Sequence, residues 1–240
     1  RERLADTFSP RCVVARDSHQ CFADRLESPG RYRLRFDRWM NFNGPAPGGG
    51  AGSSEYFTTG VGVSETRTNV AGESAGTPIA AWGNAAGSCV IFGADGDGGF
   101  AESTGDFIVY SNNIAITGNT NFYPAGLRDN FAAYYAEFGE IAPPPAQTAL
   151  FPTQTGSDNV GTLSYAWHDV VITKQGTNIT WDIDGLRIAN VVYSAAFVGS
   201  NFSLGYEDIN TSVTAVPRMN MAIVDNLKVE TLTIPGPYIT

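Results

Sequence analysis

The run WDIDG over 181–185 carries two carboxylates one residue apart, Asp182 and Asp184. Paired carboxylates can cleave a glycosidic bond when they flank it at roughly 5–10 Å, or they can share a hard metal ion. The spacing argues for a third role. Asp-Gly between two apolar runs is a strong hairpin signal, because a type I′ turn needs positive φ at both central positions. With Asp184 in the turn, Ile179, Trp181 and Ile183 point inward. Asn178, Thr180 and Asp182 then point outward, and Leu186 and Ile188 continue the apolar face. Asp184 is expected to serve the turn through its own backbone hydrogen bonds.

The other acids suggest binding rather than catalysis. Glu102 and Asp106 bracket a turn-like STG, and Glu207 and Asp208 point to opposite faces if extended. His168 follows a Trp in a strand-like run, where a packed or hydrogen-bonded imidazole is expected. No residue is assigned a catalytic role. GADGDGG over 93–99 places Asp95 and Asp97 on a Gly-rich loop with Asp106 downstream, oxygen ligands of the kind calcium takes. The EF-hand pattern fails, because Gly99 and Phe100 stand where its third acid and its glycine would be, and a solvated Gly-Asp turn is the alternative. Sugar binding sets aromatic faces against C–H groups, with Tyr useful for its polar tip. Trp82, Tyr134, Tyr135 and Tyr206 lie in loop-like stretches. Tyr134-Tyr135 stands out, since adjacent tyrosines in a short element do not readily both bury.

Composition narrows the setting. The net charge is −9, which excludes a nucleic-acid partner because phosphate binding needs clustered Lys and Arg. The charge is uneven: residues 1–38 hold nine Arg against six acids, and the rest is strongly acidic. No apolar run approaches the ~18 residues of a membrane helix, so membrane insertion is not expected. Of three Cys, Cys12 and Cys21 lie in a polar N-terminal stretch and are expected to close a disulfide loop, which implies an oxidising compartment. Two unpaired thiols are the alternative. Cys89, in SCVIFG, reads as a buried strand residue.

The elements that would position these residues are mostly strands. Hydrophobic residues make up 42% of the chain and charged residues 16%, with 27 Gly, a composition that suits many short strands with tight turns. In RYRLRFDRWMNF (31–42), Tyr32, Leu34, Phe36, Met40 and Phe42 share one face. Arg38 falls in the apolar phase and hints at a bulge or strand end. Further strands are expected at 55–63, 79–82, 88–93, 106–116, 162–174, 178–183, 186–193, 201–206 and 219–232. In the last of these, Met219, Met221, Ile223, Leu227 and Val229 face one way, with Asp225 the exception. DNFAAYYAEF (129–138) suits a short helix or turn capped by Asp129, and 141–156 suits an extended Pro-rich loop. The expectation is an N-terminal arm over 1–30, and one domain over 31–240.

The order WHDVVIT, ITWDIDGLRI, FSLGYEDI and MAIVDNLKV resembles laminin-G-like domains of the concanavalin A-like lectin/glucanase superfamily. FDRWMNFNGPAPGGGAGSSEYFTTGVGV, GADGDGG, AWHDV, GYEDINTSV and VDNLKV also resemble a set of secreted bacterial proteins of unassigned function. The resemblance implies an all-β antiparallel sandwich, a concanavalin A-like jelly roll, at a secreted or cell-surface location. The superfamily's glucanases carry an ExDxxE cluster on one strand, which this chain lacks. Asp208 matches an acidic position of the pattern and joins Asp95 and Asp97 as a candidate calcium ligand. The expected function is a non-catalytic module binding polysaccharide or a cell-surface glycan, or mediating adhesion, with calcium as a candidate cofactor. Two alternatives stand beside it. One is a subunit of a cell-surface fibre or layer that self-associates through its N-terminal arm. The other is a polysaccharide hydrolase or lyase that depends on Asp182 or Asp208.

Overall fold

The computed structural model describes residues 11–15, 18–23, 30–47, 55–63, 88–96, 105–112, 114–116, 122–208 and 216–232. In β1 (Arg11–Ala15) and β2 (Ser18–Ala23), and at Glu55, Glu207 and Asp208, the description covers the backbone only. The remaining strands are β3 (Arg31–Asn41), β4 (Glu55–Val63), β5 (Val90–Asp95), β6 (Phe107–Ser111) and β7 (Ile114–Ile116), then β8 (Trp167–Gln175), β9 (Asn178–Ile183), β10 (Leu186–Val192), β11 (Asn201–Asp208) and β12 (Met221–Thr231). They form two antiparallel sheets. One has seven strands in the order β1-β2-β11-β4-β5-β6-β7, the other five in the order β10-β9-β8-β3-β12. This is the all-β sandwich expected, and among the described residues no helix is long and apolar enough to cross a membrane. The expected strand at 79–82 lies outside the described residues.

The core is built by alternation. Leu34, Phe36 and Met40 from β3 meet Phe57, Val61 and Phe92 from the facing sheet, and Phe92 packs on Trp181 with ring centroids 5.4 Å apart. Burying side chains of this size stabilises the fold by about 1.5–3 kcal/mol each. The seven-stranded sheet is covered on its second face too: Tyr56, Val63, Ile91, Ile108 and Tyr110 make a separate buried cluster there. The outer face of the five-stranded sheet is open instead. Arg31, Arg33 and Arg35 are exposed along β3 while the residues between them are buried.

Several expectations change. β3 runs straight through Arg38, which keeps the inward phase and is buried. The bulge lies in the neighbouring strand. Between Asp225, opposite Asp37, and Lys228, opposite Arg35, β12 holds two residues against Phe36 alone, and Asn226 has φ of 53°. The extra residue shifts the phase. Ala222 and Val224 pack inward before it, Leu227 and Val229 after it, and Met221 and Ile223 face solvent. Asp225 is therefore no exception in an apolar face.

The Pro-rich stretch is not extended throughout. It contains α1 (Pro145–Leu150), started by Pro at its first position. The buried Gln154 ties it to β3's exit by accepting from Gly44 N–H and donating to the Phe42 carbonyl, each at 2.6 Å. A 3-10 helix spans Ala133–Phe138 with Ala132 as its N-cap. Asp129 acts ahead of it, accepting the Phe131 N–H at 2.9 Å.

β1 and β2 form a hairpin in which Cys12 stands opposite Cys21. β2 pairs with β11 of the same chain, from Phe202 opposite Ala23 to Glu207 opposite Ser18. The Cys12 and Cys21 side chains lie outside the described residues.

Candidate functional site

The open face of the five-stranded sheet is organised in rows, because adjacent strands in antiparallel register stack side chains of one phase side by side. One row is Ile223, Trp39 and Trp167. The next is Asp225, Asp37 and Asp169, and beyond it run Lys228, Arg35, Val171, Asp182 and Arg187. The first row is apolar and uncovered: Trp167 is 52% exposed and Ile223 45%, with Met221 beside them at 39%. Trp39 is half-buried and stands directly opposite Trp167. Both tryptophans follow from strand parity, since Trp39 shares the phase of Arg31, Arg33 and Arg35, and Trp167 that of Asp169. Neither reads as a binding residue from the sequence alone, because a tryptophan inside a strand gives no sign of which sheet face stays open.

The polar rows are pre-ordered. Arg35 Nε donates to Asp169 Oδ1 at 2.7 Å, Asn226 Nδ2 to Asp37 Oδ2 at 2.6 Å, and Arg187 Nε to Asp182 Oδ1 at 2.5 Å. A groove of about 600 Å³ crosses this face, lined among others by Arg33, Arg35, Thr173, Thr180 and Arg187. Asp182 is thus an outward residue held by Arg187, as its phase required.

Asp184 sits in the β9–β10 turn with φ of 51°, followed by Gly185 at 86°, the type I′ signature. Its carboxylate does more than shape the turn. Oδ1 accepts the Asp169 N–H at 2.8 Å, and Oδ2 lies 2.7 Å from His168 Nδ1. Burial alone would raise this carboxyl. The hydrogen bonds from His168 and Asp169 and the charges of His168 and Arg38 hold it below the usual carboxylate range. His168 is buried with its ring edge-on to Phe138, and its Nε2 is enclosed without a partner. A proton carrier must touch its substrate, so this pair is a structural brace.

The tyrosines expected to meet sugar are placed differently. Tyr135 is fully buried, its ring 4.3 Å from Phe107 and its hydroxyl donated to the Leu127 carbonyl. Tyr134 stands perpendicular to it, half-buried, and donates to the Arg187 carbonyl at 2.9 Å. A short 3-10 helix turned on edge lets one tyrosine enter the core while the other lies along it. Tyr206 is half-buried and donates to the Asn41 carbonyl at 2.8 Å. Trp82 lies outside the described residues.

Asp95 ends β5 and is buried, with Asp106, Asp129 and Asp158 also buried. Burial first, and the charge of Asp95 second, push the Asp106 carboxyl well up. Asp158 is pushed up to about 8, mainly by burial. Asp95 pairs with Tyr56 of β4, whose other neighbour is Glu207 of β11, so β4 separates Asp95 from Asp208. Among the described residues no three His, Cys, Asp or Glu converge on a metal position. Asp97 and the Asp208 side chain lie outside the described residues.

No protein-family model and no curated protein matches the chain. Among solved structures it is similar to a carbohydrate-binding module, CBM66, from Bacillus subtilis, at 9% identity and TM-score 0.44, covering 94% of this chain and 91% of that one. It is also similar to a Bacillus licheniformis β-glucanase, at 8% identity and TM-score 0.36, over 88% of this chain and 69% of that one. A third is the lectin UEA-II in complex with galactose, at 10% identity and TM-score 0.37, over 92% and 85% respectively.

Proposed function

We propose that the chain is a non-catalytic carbohydrate-binding module whose ligand lies across the outer face of the five-stranded sheet. The observation that carries this is the Trp39–Trp167 pair, set side by side on an open sheet face beside a row of carboxylates. Exposed tryptophans in a contiguous apolar strip are costly to leave in water and mark a binding surface. Flat indoles suit the C–H faces of sugar rings. Asp37, Asp169 and Arg35 supply acceptors and donors for hydroxyls, and their mutual hydrogen bonds fix them before a ligand arrives, which lowers the ordering cost.

Binding to plant, algal and bacterial glycans tests this, with Trp167→Ala as the probe. The expected loss of affinity is about tenfold or more, with an unchanged melting temperature because Trp167 is largely exposed. No binding to any of these glycans, or full binding by Trp167→Ala, rejects the reading. A second reading has one observation in its favour. Asp37 and Asp169 are direct cross-strand partners on the same face, and such pairs hold Cβ atoms about 4.5–5.5 Å apart. Release of new reducing ends from a bound glycan, lost in Asp37→Asn, would favour cleavage over binding.

A further inference from the structure

A second groove of about 540 Å³ opens where β12 faces β4 and β11, at the edge of the sandwich. Its walls are mostly apolar: Phe57, Leu204, Tyr206, Ala222, Val224 and Leu227. Next to it lies a charge that no carboxylate among the described residues contacts directly. Arg38 is 1% exposed and lies between His168 and Val224 in the sheet register. Its guanidinium carbon is 5.3 Å from the Phe57 ring centroid. Nη1 reaches Met40 Sδ at 3.8 Å, whereas Nε and Nη2 are enclosed and have no hydrogen-bond partner. The carboxylate whose charge reaches Arg38 is Asp184, already occupied by His168 and the Asp169 N–H. Burial lowers the guanidinium to about 10, so it is cationic at neutral pH.

Leaving a buried cation unpaired is strongly unfavourable, and two adjacent N–H donors on one edge of a guanidinium match a carboxylate. Phe57 and Val224 flank the guanidinium and both line the groove, so the cation lies one side chain behind an apolar wall. We propose that this groove binds a monocarboxylic acid with an apolar body, its carboxylate on Arg38 Nε and Nη2 and its body along Phe57, Leu204, Val224 and Leu227. Phe57 or Val224 gives way by a rotamer on binding, a change common at ligand interfaces. The groove meets the Trp39–Trp167 face at the edge strand β12, where Met221, Asp225 and Asn226 also line it, but its apolar wall lies on the inner side of the five-stranded sheet.

Calorimetric titration with decanoate and with decanol tests the charge and the apolar body separately. Decanoate is expected to bind about 10- to 100-fold more tightly than decanol, the value of a charge-assisted contact. Arg38→Met is expected to abolish that preference while leaving glycan binding intact. Leu204→Trp, which fills the groove and keeps the arginine, is expected to lose both ligands. Equal binding of the two compounds, no binding of either, a preference that survives Arg38→Met, or decanoate binding that survives Leu204→Trp overturns the proposal. If Arg38→Met does not fold, the wild-type preference and Leu204→Trp decide alone.

Discussion

Asp184 shows how much one side chain can hold. It occupies a left-handed turn position, satisfies the Asp169 N–H and fixes the buried His168 through Nδ1. Asp184→Ala removes both acceptors and leaves His168 with neither ring nitrogen bonded. The expected cost is about 1–3 kcal/mol, the penalty of an orphaned buried polar group. Asp184→Asn keeps an acceptor for Asp169 and should cost less. Chemical denaturation of both variants checks this ordering, and equal losses would mean that the turn conformation, and not the His168 bond, is what matters. The stabilising share tied to the ionised Asp184 carboxylate is present above about pH 4 and is lost below it, because its folded value is depressed.

At the scale of elements, the β12 bulge decides which residues face which way. Removing Asn226 leaves Leu227 alone opposite Phe36, with Ala222, Val224, Leu227 and Val229 all still inward. That deletion is expected to fold, losing about 1 kcal/mol with the Asn226–Asp37 hydrogen bond and recovering some from the relieved positive φ. Deleting Ile223 instead turns part of the inward row to solvent and should cost several kcal/mol. Similar melting temperatures for the two deletions would show that the register is not set by the bulge. The strands and the turn at Asp184 were legible because alternation and turn residues are local signals. The bulge was not, since one inserted residue looks in sequence like a polar interruption of one face. Arg38 resists a reading from sequence for a related reason. Its phase said inward and its chemistry said outward, and the phase prevailed. The tryptophans of the open face were hidden because they sit in strands, and which sheet face stays uncovered depends on how the whole chain packs.

For the molecule as a whole, pH dependence should follow its buried acids. Asp106 and Asp158 are held above their ordinary range by burial, so the folded chain keeps protons that the unfolded chain releases. A group whose folded value is raised contributes stability below its unfolded value of about 4, and that contribution is lost as pH rises through the folded one. For Asp158 the window therefore runs from about pH 4 to about pH 8. Asp184 titrates below this range, so it does not mask the trend. The melting temperature is expected to fall steadily from pH 5 to pH 8, and Asp158→Asn, an amide standing for the protonated acid, should flatten that fall. Calcium reverses the logic, because a bound ion favours the ionised carboxylates. If millimolar calcium makes wild-type stability rise with pH over the same range, and a chelator restores the fall, these acids hold a cation. If calcium leaves the slope unchanged, they act as protonated core residues. A wild-type melting temperature that is flat from pH 5 to pH 8 without calcium would contradict the assignment of Asp158 as a buried, proton-retaining group.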